Sequence, residues 1–424
     1  MKPSRRQVLR LSTAAGAAAL LPPARARADE GAAPLPPAIA ALKTMTDGVL
    51  PIGTDERRAR VRRAQELLVA EGLDALVLSP GTSLEYFSGV RWSGGERLLA
   101  MVLTRTGDPA WVAPGFEKAR AQELIPFGDD VRAWQEDESP YALAAGILRD
   151  RKAASGRVGV DEAMPFMFAD GLAGALPAAR VVSGTPVTAG CRMIKDAHEL
   201  ALMRRAGEIT VRAFRAVFAS LAAGMTQAQV AALCAAAMER QGMSGGALVL
   251  FGPDAAFPHG TTNPQPLKPG QVVLIDGGGR LFGYASDVTR TGVFGAPPTD
   301  RQRTVWDLVR KAQEAAFKAV RPGVEAQSVD AAARRVIEEG GFGPGYRFLT
   351  HRLGHGIGMD GHEWTYLVKG NTTKLRPGMC FSDEPGIYIP GEMGIRHEDV
   401  MTVTEGGADV LEKWTGTPEE PAVA

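Results

Sequence analysis

The chain reads as two folded domains in series. A small α/β domain occupies residues 55–188, and a larger α+β domain with an internal repeat occupies 189–424. Two observations carry this reading. Short apolar strands alternate with helical stretches through the first segment, as in a sheet covered by helices. In the second, helix–helix–strand units recur with matching glycines and acids. Composition agrees with a folded chain: of 424 residues, 45% are hydrophobic and 23% charged, close to the globular average. No apolar run reaches the ~18–20 residues of a transmembrane helix, so no stable membrane anchor is expected. The 48 basic residues balance the 48 acidic ones, which gives no reason to expect a nucleic-acid partner. Cys191, Cys234 and Cys380 are too few and scattered for a disulfide framework.

The elements follow in chain order. Residues 1–28 contain Lys2, Arg5, Arg6, Arg10, Arg25 and Arg27 and no acid, and end in Ala26-Arg27-Ala28. With the weakly apolar Leu11 to Leu21 between, this reads as an export signal with its cleavage site. Arg5-Arg6 within SRRQVL resembles the twin-arginine type, with Val8 where Phe is usual. A periplasmic or secreted mature chain, exported folded, is expected. Removing six basic residues from 48 leaves 42 against 48 acids. Residues 29–54, rich in Pro, Ala and Gly, read as a linker or extended arm. A helix from Asp55 places Val61, Ala64, Leu67 and Leu68 on one face, and Gly72 ends it. Strands are expected at 75–79, 98–104, 109–114, 157–161 and 180–184.

The larger domain opens with an amphipathic helix capped by Asp196, carrying Leu200, Met203, Val211, Phe214, Val217, Phe218 and Leu221 to a stop at Gly224. Thr226 with Gln229 forms a capping box for the next helix. The same order returns: Thr299 with Gln302 caps a helix ending at Pro322-Gly323, and another runs to Gly340. Gly224, Val230, Ala232, Glu239 and Gly242 match Gly323, Val329, Ala331, Glu338 and Gly341 at a constant offset. LKPGQVVLIDGGG (267–279) matches LRPGMCFSDEPGI (375–387), which sets Asp276 opposite Glu384. A duplicated unit would bring two carboxylate-bearing strand pairs together across a pseudo-twofold axis.

The acids follow that plan. VVLID ends at Asp276, GGGRLFGY reads as a flexible return, and Asp287 follows on the next strand. In the second copy Glu384 lies in SDEPGIY and Glu398 in GIRHEDV, while His355 in HRLGHGIG adds a nitrogen. One such acid is often a turn-former or a solvated edge residue. Four at the ends of apolar strands repel one another once packed together and require a cation. Oxygen-rich ligands suit Mn²⁺, with Co²⁺, Fe²⁺ or Zn²⁺ as alternatives. Two divalent ions balance four carboxylates where one leaves surplus charge, and such a pair can activate water for hydrolysis. His351 and His355 are four apart, but Arg352 stands where a zincin helix needs Glu, and Gly354, Gly356 and Gly358 oppose a helix.

These residues resemble those of the pita-bread metallopeptidase family that contains methionine aminopeptidase, aminopeptidase P, prolidase and creatinase. The resemblance covers about residues 55–410 and implies a creatinase/prolidase-type N-terminal domain ahead of a pita-bread catalytic domain. It implies Asp276, Asp287, His355, Glu384 and Glu398 as ligands of two metal ions. His259 in FPHG, His351 and His362 match catalytic and substrate-binding histidines, and Tyr388 and Arg396 match a pair assigned to proton transfer. Two departures are visible: Trp364-Thr365-Tyr366 where proline usually follows the His-Glu pair, and His397 where an aliphatic residue is common.

The activity implied is that of an Xaa-Pro aminopeptidase, cleaving the bond before proline with a dinuclear metal-activated hydroxide while Glu384 moves the proton. A prolidase-type dipeptidase, a metal-free creatinase-type C–N hydrolase and a non-catalytic binding protein on the same fold are the alternatives. The partners expected are a peptide substrate and, from the resemblance, a second copy in a homodimer.

Overall fold

The computed structural model of the protein describes residues 34–423; the signal read over 1–28 lies outside them. Strands β1 (Ala75–Leu78), β2 (Ala100–Thr104), β3 (Ala110–Pro114), β4 (Val131–Trp134), β5 (Arg157–Val160) and β6 (Arg180–Ser183) form one sheet in the order β4-β3-β2-β1-β5-β6. β1, β2 and β3 are buried at every position, which is why they read as unbroken apolar runs. β4, sequence VRAW, has no place among the strands expected from the sequence. It is four residues long and only Trp134 is buried, so neither alternation nor an apolar run announces it. Its register is set by β3, with which it pairs in parallel.

Helix Thr54–Ala70 buries Val61, Ala64 and Leu68. The segment ahead of it lies on the larger domain from Pro37 onward. Ile39 is fully buried, Arg240 donates to the Ala40 carbonyl (3.0 Å), and the Met45 amide donates to the Gln241 carbonyl (3.0 Å). Helix Thr185–Arg192 runs through position 188/189. It leads directly to a capped helix, Ala197–Phe218, whose Asp196 and Glu199 form a reciprocal box.

The larger domain is a duplication. Helices Ala197–Phe218 and Gln227–Arg240 precede β7 (Ser244–Phe251), β8 (Val272–Leu281), β9 (Tyr284–Ala285) and β10 (Val288–Val293). Helices Asp300–Ala319 and Ala326–Glu339 precede β11 (Gly354–Gly356), β12 (Glu363–Leu367), β13 (Cys380–Asp383), β14 (Gly386–Ile389), β15 (Met393–Arg396), β16 (Asp399–Val403) and β17 (Ala408–Val410). Boxes at Thr226/Gln229 and Thr299/Gln302 cap their helices. The turn before the second helix is the same in both copies. Gly224 (φ 87°) donates to the Leu267 carbonyl at 2.8 Å, and Gly323 (φ 84°) donates to the Leu375 carbonyl at 2.8 Å. A side chain is disfavoured at that φ, so both copies keep glycine. The first helix ends at Phe218 rather than at Gly224; Gly224 belongs to the turn.

β10-β8-β7 form one half-sheet, with β9 on β8, and β12-β11-β13-β16-β17 form the other. They meet at a backbone bridge between Thr289 and Glu398, with amide-to-carbonyl distances of 3.3 and 3.2 Å. One apolar core runs from Leu76 and Trp111 of the small domain to Ile357, Cys380 and Val400 of the large one. No helix among the described residues is long and apolar enough to cross a membrane.

A buried ionic cluster joins the domains beside this core. Arg192 reaches Asp360 (2.5 Å) and Glu363 (2.6 Å), and Lys195 reaches the other Glu363 oxygen (2.9 Å). Burial alone would raise the Glu363 pKa, but Lys195 and Arg192 outweigh it and hold it at about 2. Removing one member of a buried pair strands the others' charge at a cost of ~3–5 kcal/mol. Glu363→Gln is therefore expected to lower the unfolding free energy at pH 7 by about that amount in denaturant titrations. A depressed carboxylate stabilises above its ordinary pKa of 4.5 and loses that contribution as pH falls towards 2. The gap between wild type and variant should accordingly shrink on acidification through that window.

Candidate active site and metal centre

The junction of the half-sheets places the acids. Asp276 lies on the central strand β8, opposite Leu248 of β7 and Thr289 of β10. Asp287 sits immediately before β10, two residues from Thr289 and on the same strand face by alternation. In the other half Asp383 pairs with Asp399, so the next positions outward, Glu384 and Glu398, are also opposed. Ligand atoms of His355, Glu384 and Glu398 lie within 4.8 Å of one another, as do those of Asp276, Asp287 and Glu398, and those of Asp287, His355 and His362. Glu398 belongs to two of these triads.

The glycines between the first two acids are not a loose return. Gly277, Gly278 and Gly279 lie within β8 and pair with Ala247, Gly246 and Gly245 of β7. A Cβ on Gly278 would strike the Ser286 carbonyl, so glycine lets three chain segments approach closely. The reversal is made by Phe282 and Gly283, both at positive φ (48° and 96°), between the paired Leu281 and Tyr284. That is a two-residue hairpin turn matching the twist of its strands.

The imidazole of His355 is oriented as metal ligation would require. Its Nδ1 lies 3.1 Å from the Gly356 carbonyl, which can only accept, so Nδ1 carries hydrogen and Nε2 is turned to the acids. Nε2 stands 3.3 Å from Glu384 and 3.8 Å from Asp287. Burial and the neighbouring Asp276 push the Asp287 carboxyl up to about 7. Burial and Asp287 raise Glu398 well above the carboxylate range. Burial would also raise Glu384, but the hydrogen bond from His355 and the nearby His351 hold it at about 2. Acids forced towards protonation beside an oriented imidazole nitrogen fit a site built for divalent cations.

Of the other expected residues, His259, His351, His362 and Arg396 line the same cavity of about 550 Å³, within the range of small-molecule sites, and Tyr388 is buried next to it. His362 stacks on His355 with ring centroids 3.6 Å apart. His351 donates from Nδ1 to the Arg352 carbonyl (2.7 Å), leaving Nε2 to accept from the Tyr388 hydroxyl (2.7 Å). Arg396 donates to that hydroxyl (2.7 Å) and to Asp276 (2.5 Å). A continuous chain thus runs His351–Tyr388–Arg396–Asp276. Burial lowers the pKa of His351, keeping it neutral in this role. His259 is exposed on the cavity wall. His397 faces away, 3.2 Å from the Trp306 carbonyl, and burial drives its pKa down to about 3.

Two supporting residues went unnoticed in the sequence. The Thr289 hydroxyl lies 2.6 Å from Glu398 and 2.8 Å from Asp276. The Ser382 hydroxyl donates to Glu384 (3.0 Å) and accepts from the His355 amide (3.0 Å). Each sits two residues from an acid, on the same strand face, and that period of two is the signal that could have found them. Partners of this kind typically change metal affinity 10–100-fold. Thr289→Val keeps the side-chain shape and the backbone bridge. It should weaken Mn²⁺ binding by about 10–100-fold in competition with a chromophoric chelator.

Comparison with known proteins agrees with this geometry. Residues 201–405 match the model of Metallopeptidase family M24, and residues 60–194 match the Creatinase/Prolidase N-terminal domain. The probable dipeptidase PepE of Mycobacterium tuberculosis is 41% identical over 342 residues, 80% of this chain and 89% of that protein. The Xaa-Pro dipeptidase of Lactobacillus delbrueckii subsp. lactis is 32% identical over 353 residues, 81% of this chain and 94% of its own. The crystal structure of dipeptidase PepE from Mycobacterium ulcerans superposes with a TM-score of 0.81 at 36% identity, covering 87% of this chain and 99% of that one. With its creatinase-type N-terminal domain, pita-bread catalytic domain and convergent acids, the chain belongs to metallopeptidase family M24.

Proposed function

We propose that the protein is an Xaa-Pro dipeptidase that hydrolyses the bond before a C-terminal proline at a two-metal centre. The observation that carries the metal part is the pair of triads, Asp276/Asp287/Glu398 and His355/Glu384/Glu398, sharing one carboxylate. Dipeptide substrates are supported by the names of the similar proteins, two dipeptidases called PepE and an Xaa-Pro dipeptidase. The aminopeptidase activity implied by the family resemblance differs only in the length of peptide accepted.

Two divalent ions held by the five ligand residues, Mn²⁺ by the oxygen-rich donor set, would supply Lewis-acid polarisation and a water of lowered pKa. The protein's own groups then have distinct tasks. The proline nitrogen of an Xaa-Pro bond carries no hydrogen, so it must receive a proton to leave. Glu384, held ionised at the cavity wall, is placed to take a proton from the attacking water and return it to that nitrogen. As the C–N bond breaks, the carbonyl carbon keeps the water oxygen and becomes the carboxyl of Xaa. His362 and His259 line the cavity where they can hold the substrate. The Tyr388 hydroxyl, anchored by Arg396, fixes His351 in its neutral form at 4.0 Å from Glu384. The same proposal places the mature chain outside the cytoplasm, supported by Arg5-Arg6 and Ala26-Arg27-Ala28, and pairs it as a homodimer.

The test uses the mature protein, stripped with chelator and then re-supplied with Mn²⁺. Ala-Pro should be hydrolysed only when metal is present, and at least about tenfold faster than Ala-Pro-Ala. The reverse ranking would favour the aminopeptidase. No cleavage of either peptide with any of Mn²⁺, Co²⁺, Fe²⁺ or Zn²⁺ would overturn the peptidase reading.

A further inference from the structure

Tyr346, Thr350 and His351 line the cavity from a segment that is neither helix nor strand, between helix Ala326–Glu339 and β11. Backbone groups there have no ladder to pair in, so their partners must come from elsewhere. That one helix supplies them. Asp330, Arg334 and Glu338 follow at four-residue spacing and share one of its faces. Asp330 accepts from the Leu353 amide (2.9 Å), and Glu338 accepts from the Gly345 amide (2.7 Å). Arg334 makes the larger share of the contacts. Its Nη1 donates to the carbonyls of Gly345 (3.0 Å) and Leu349 (2.9 Å), and its Nη2 to that of His351 (3.0 Å). Nε and Nη2 also donate to the two Asp330 oxygens, at 3.2 and 3.0 Å. All five N–H donors of the guanidinium are thereby used, and the Tyr346 ring lies over it, 4.4 Å from centroid to carbon.

The chemical consequence runs through His351. Its imidazole is held at one end by the same segment, Nδ1 to the Arg352 carbonyl, and at the other by the Tyr388 hydroxyl. A shift of the segment therefore carries the ring off Tyr388 and away from Glu384. The duplication points the same way. At the offset that aligns the two copies, Ala231 and Ala235 stand where the second copy has Asp330 and Arg334. In the first copy β7 begins soon after the helix, at Ser244. The pair is confined to the copy in which a cavity-lining segment intervenes.

We propose that Arg334, oriented by Asp330, is a positioning residue for the hydrolysis: through the His351 carbonyl it sets the His351 imidazole against Tyr388 and Glu384. This rests on the peptidase reading above. Arg334 acts from outside the cavity and touches neither substrate nor the metal ligands.

The test compares wild type with Arg334→Lys, which keeps a positive charge beside Asp330 but has three donors and no planar fork. On the Mn²⁺-loaded proteins kcat for Ala-Pro should fall at least about tenfold with KM changed less than about threefold, since a ~1 Å misplacement can cost about a hundredfold in rate. Proton magnetic resonance of the Zn²⁺-loaded proteins reads His351 without turnover. Its hydrogen-bonded Nδ1 proton, assigned by its absence in His351→Gln, should shift or disappear in Arg334→Lys while that of His355 stays. The double variant Asp330→Asn/Arg334→Gln removes both charges together and stands in should the lysine variant not fold. An unchanged kcat, or an unmoved His351 resonance, in a folded variant overturns the proposal while leaving the peptidase reading intact. A wild type that leaves Ala-Pro uncut overturns the peptidase reading and with it the catalytic consequence; the resonance then decides the positioning of His351, which stands if displaced and falls if unmoved.

Discussion

The backbone bridge between Thr289 and Glu398 is the constraint on which the site depends. Each half of the duplicated domain carries its acids on its own half-sheet; the second half alone holds His355, Glu384 and Glu398, whereas the triad Asp276/Asp287/Glu398 needs both halves. Bringing them together places four carboxylates and an imidazole in one partly enclosed cavity, where their mutual repulsion is strong because water is largely excluded. The shared carboxylate, Glu398, belongs to the very residue whose backbone makes the bridge. Fold and charge are therefore coupled: the contact that closes the duplicated domain also creates the need for cations.

The opposite faces of the same strands show how the bridge is held. Asp399, next to Glu398, points the other way and takes Arg290 at 2.6 Å and Gln313 at 3.0 Å. Arg290 is fully buried and also donates to the Glu398 carbonyl at 2.8 Å. The ligand strand is thus gripped from behind while its front face stays open to the cavity. The Arg192–Asp360–Glu363–Lys195 cluster does the same for the segment carrying His362, tying it to the small domain. A charge-dense site is held in shape by charges on its far side that are themselves compensated.

Much of this was legible in the sequence, for identifiable reasons. The matching glycines at 224/323 and 242/341 expose the duplication because positive φ leaves few alternatives to glycine. The three capping signatures mark their helices because the reciprocal hydrogen bonds are local. The acids stand out because they sit within or directly beside strands rather than in polar loops. What escaped depends on contacts distant in sequence. β4 is a strand because β3 pairs with it, and the triple glycine is strand because β7 lies alongside. That Arg352 has no carboxylate partner among the described residues shows only in three dimensions. Thr289 and Ser382 lay within reach, two residues from an acid, but acquire meaning only once that acid is seen to face a cavity.

The central claim is that the two half-sheets together hold a pair of cations. Anomalous diffraction from crystals of the Mn²⁺-loaded protein tests it most directly. Two peaks about 3.5–4 Å apart, with the Glu398 carboxylate between them and Asp276, Asp287, His355 and Glu384 around them, are the predicted result. A single peak, or peaks away from these five residues, would contradict it.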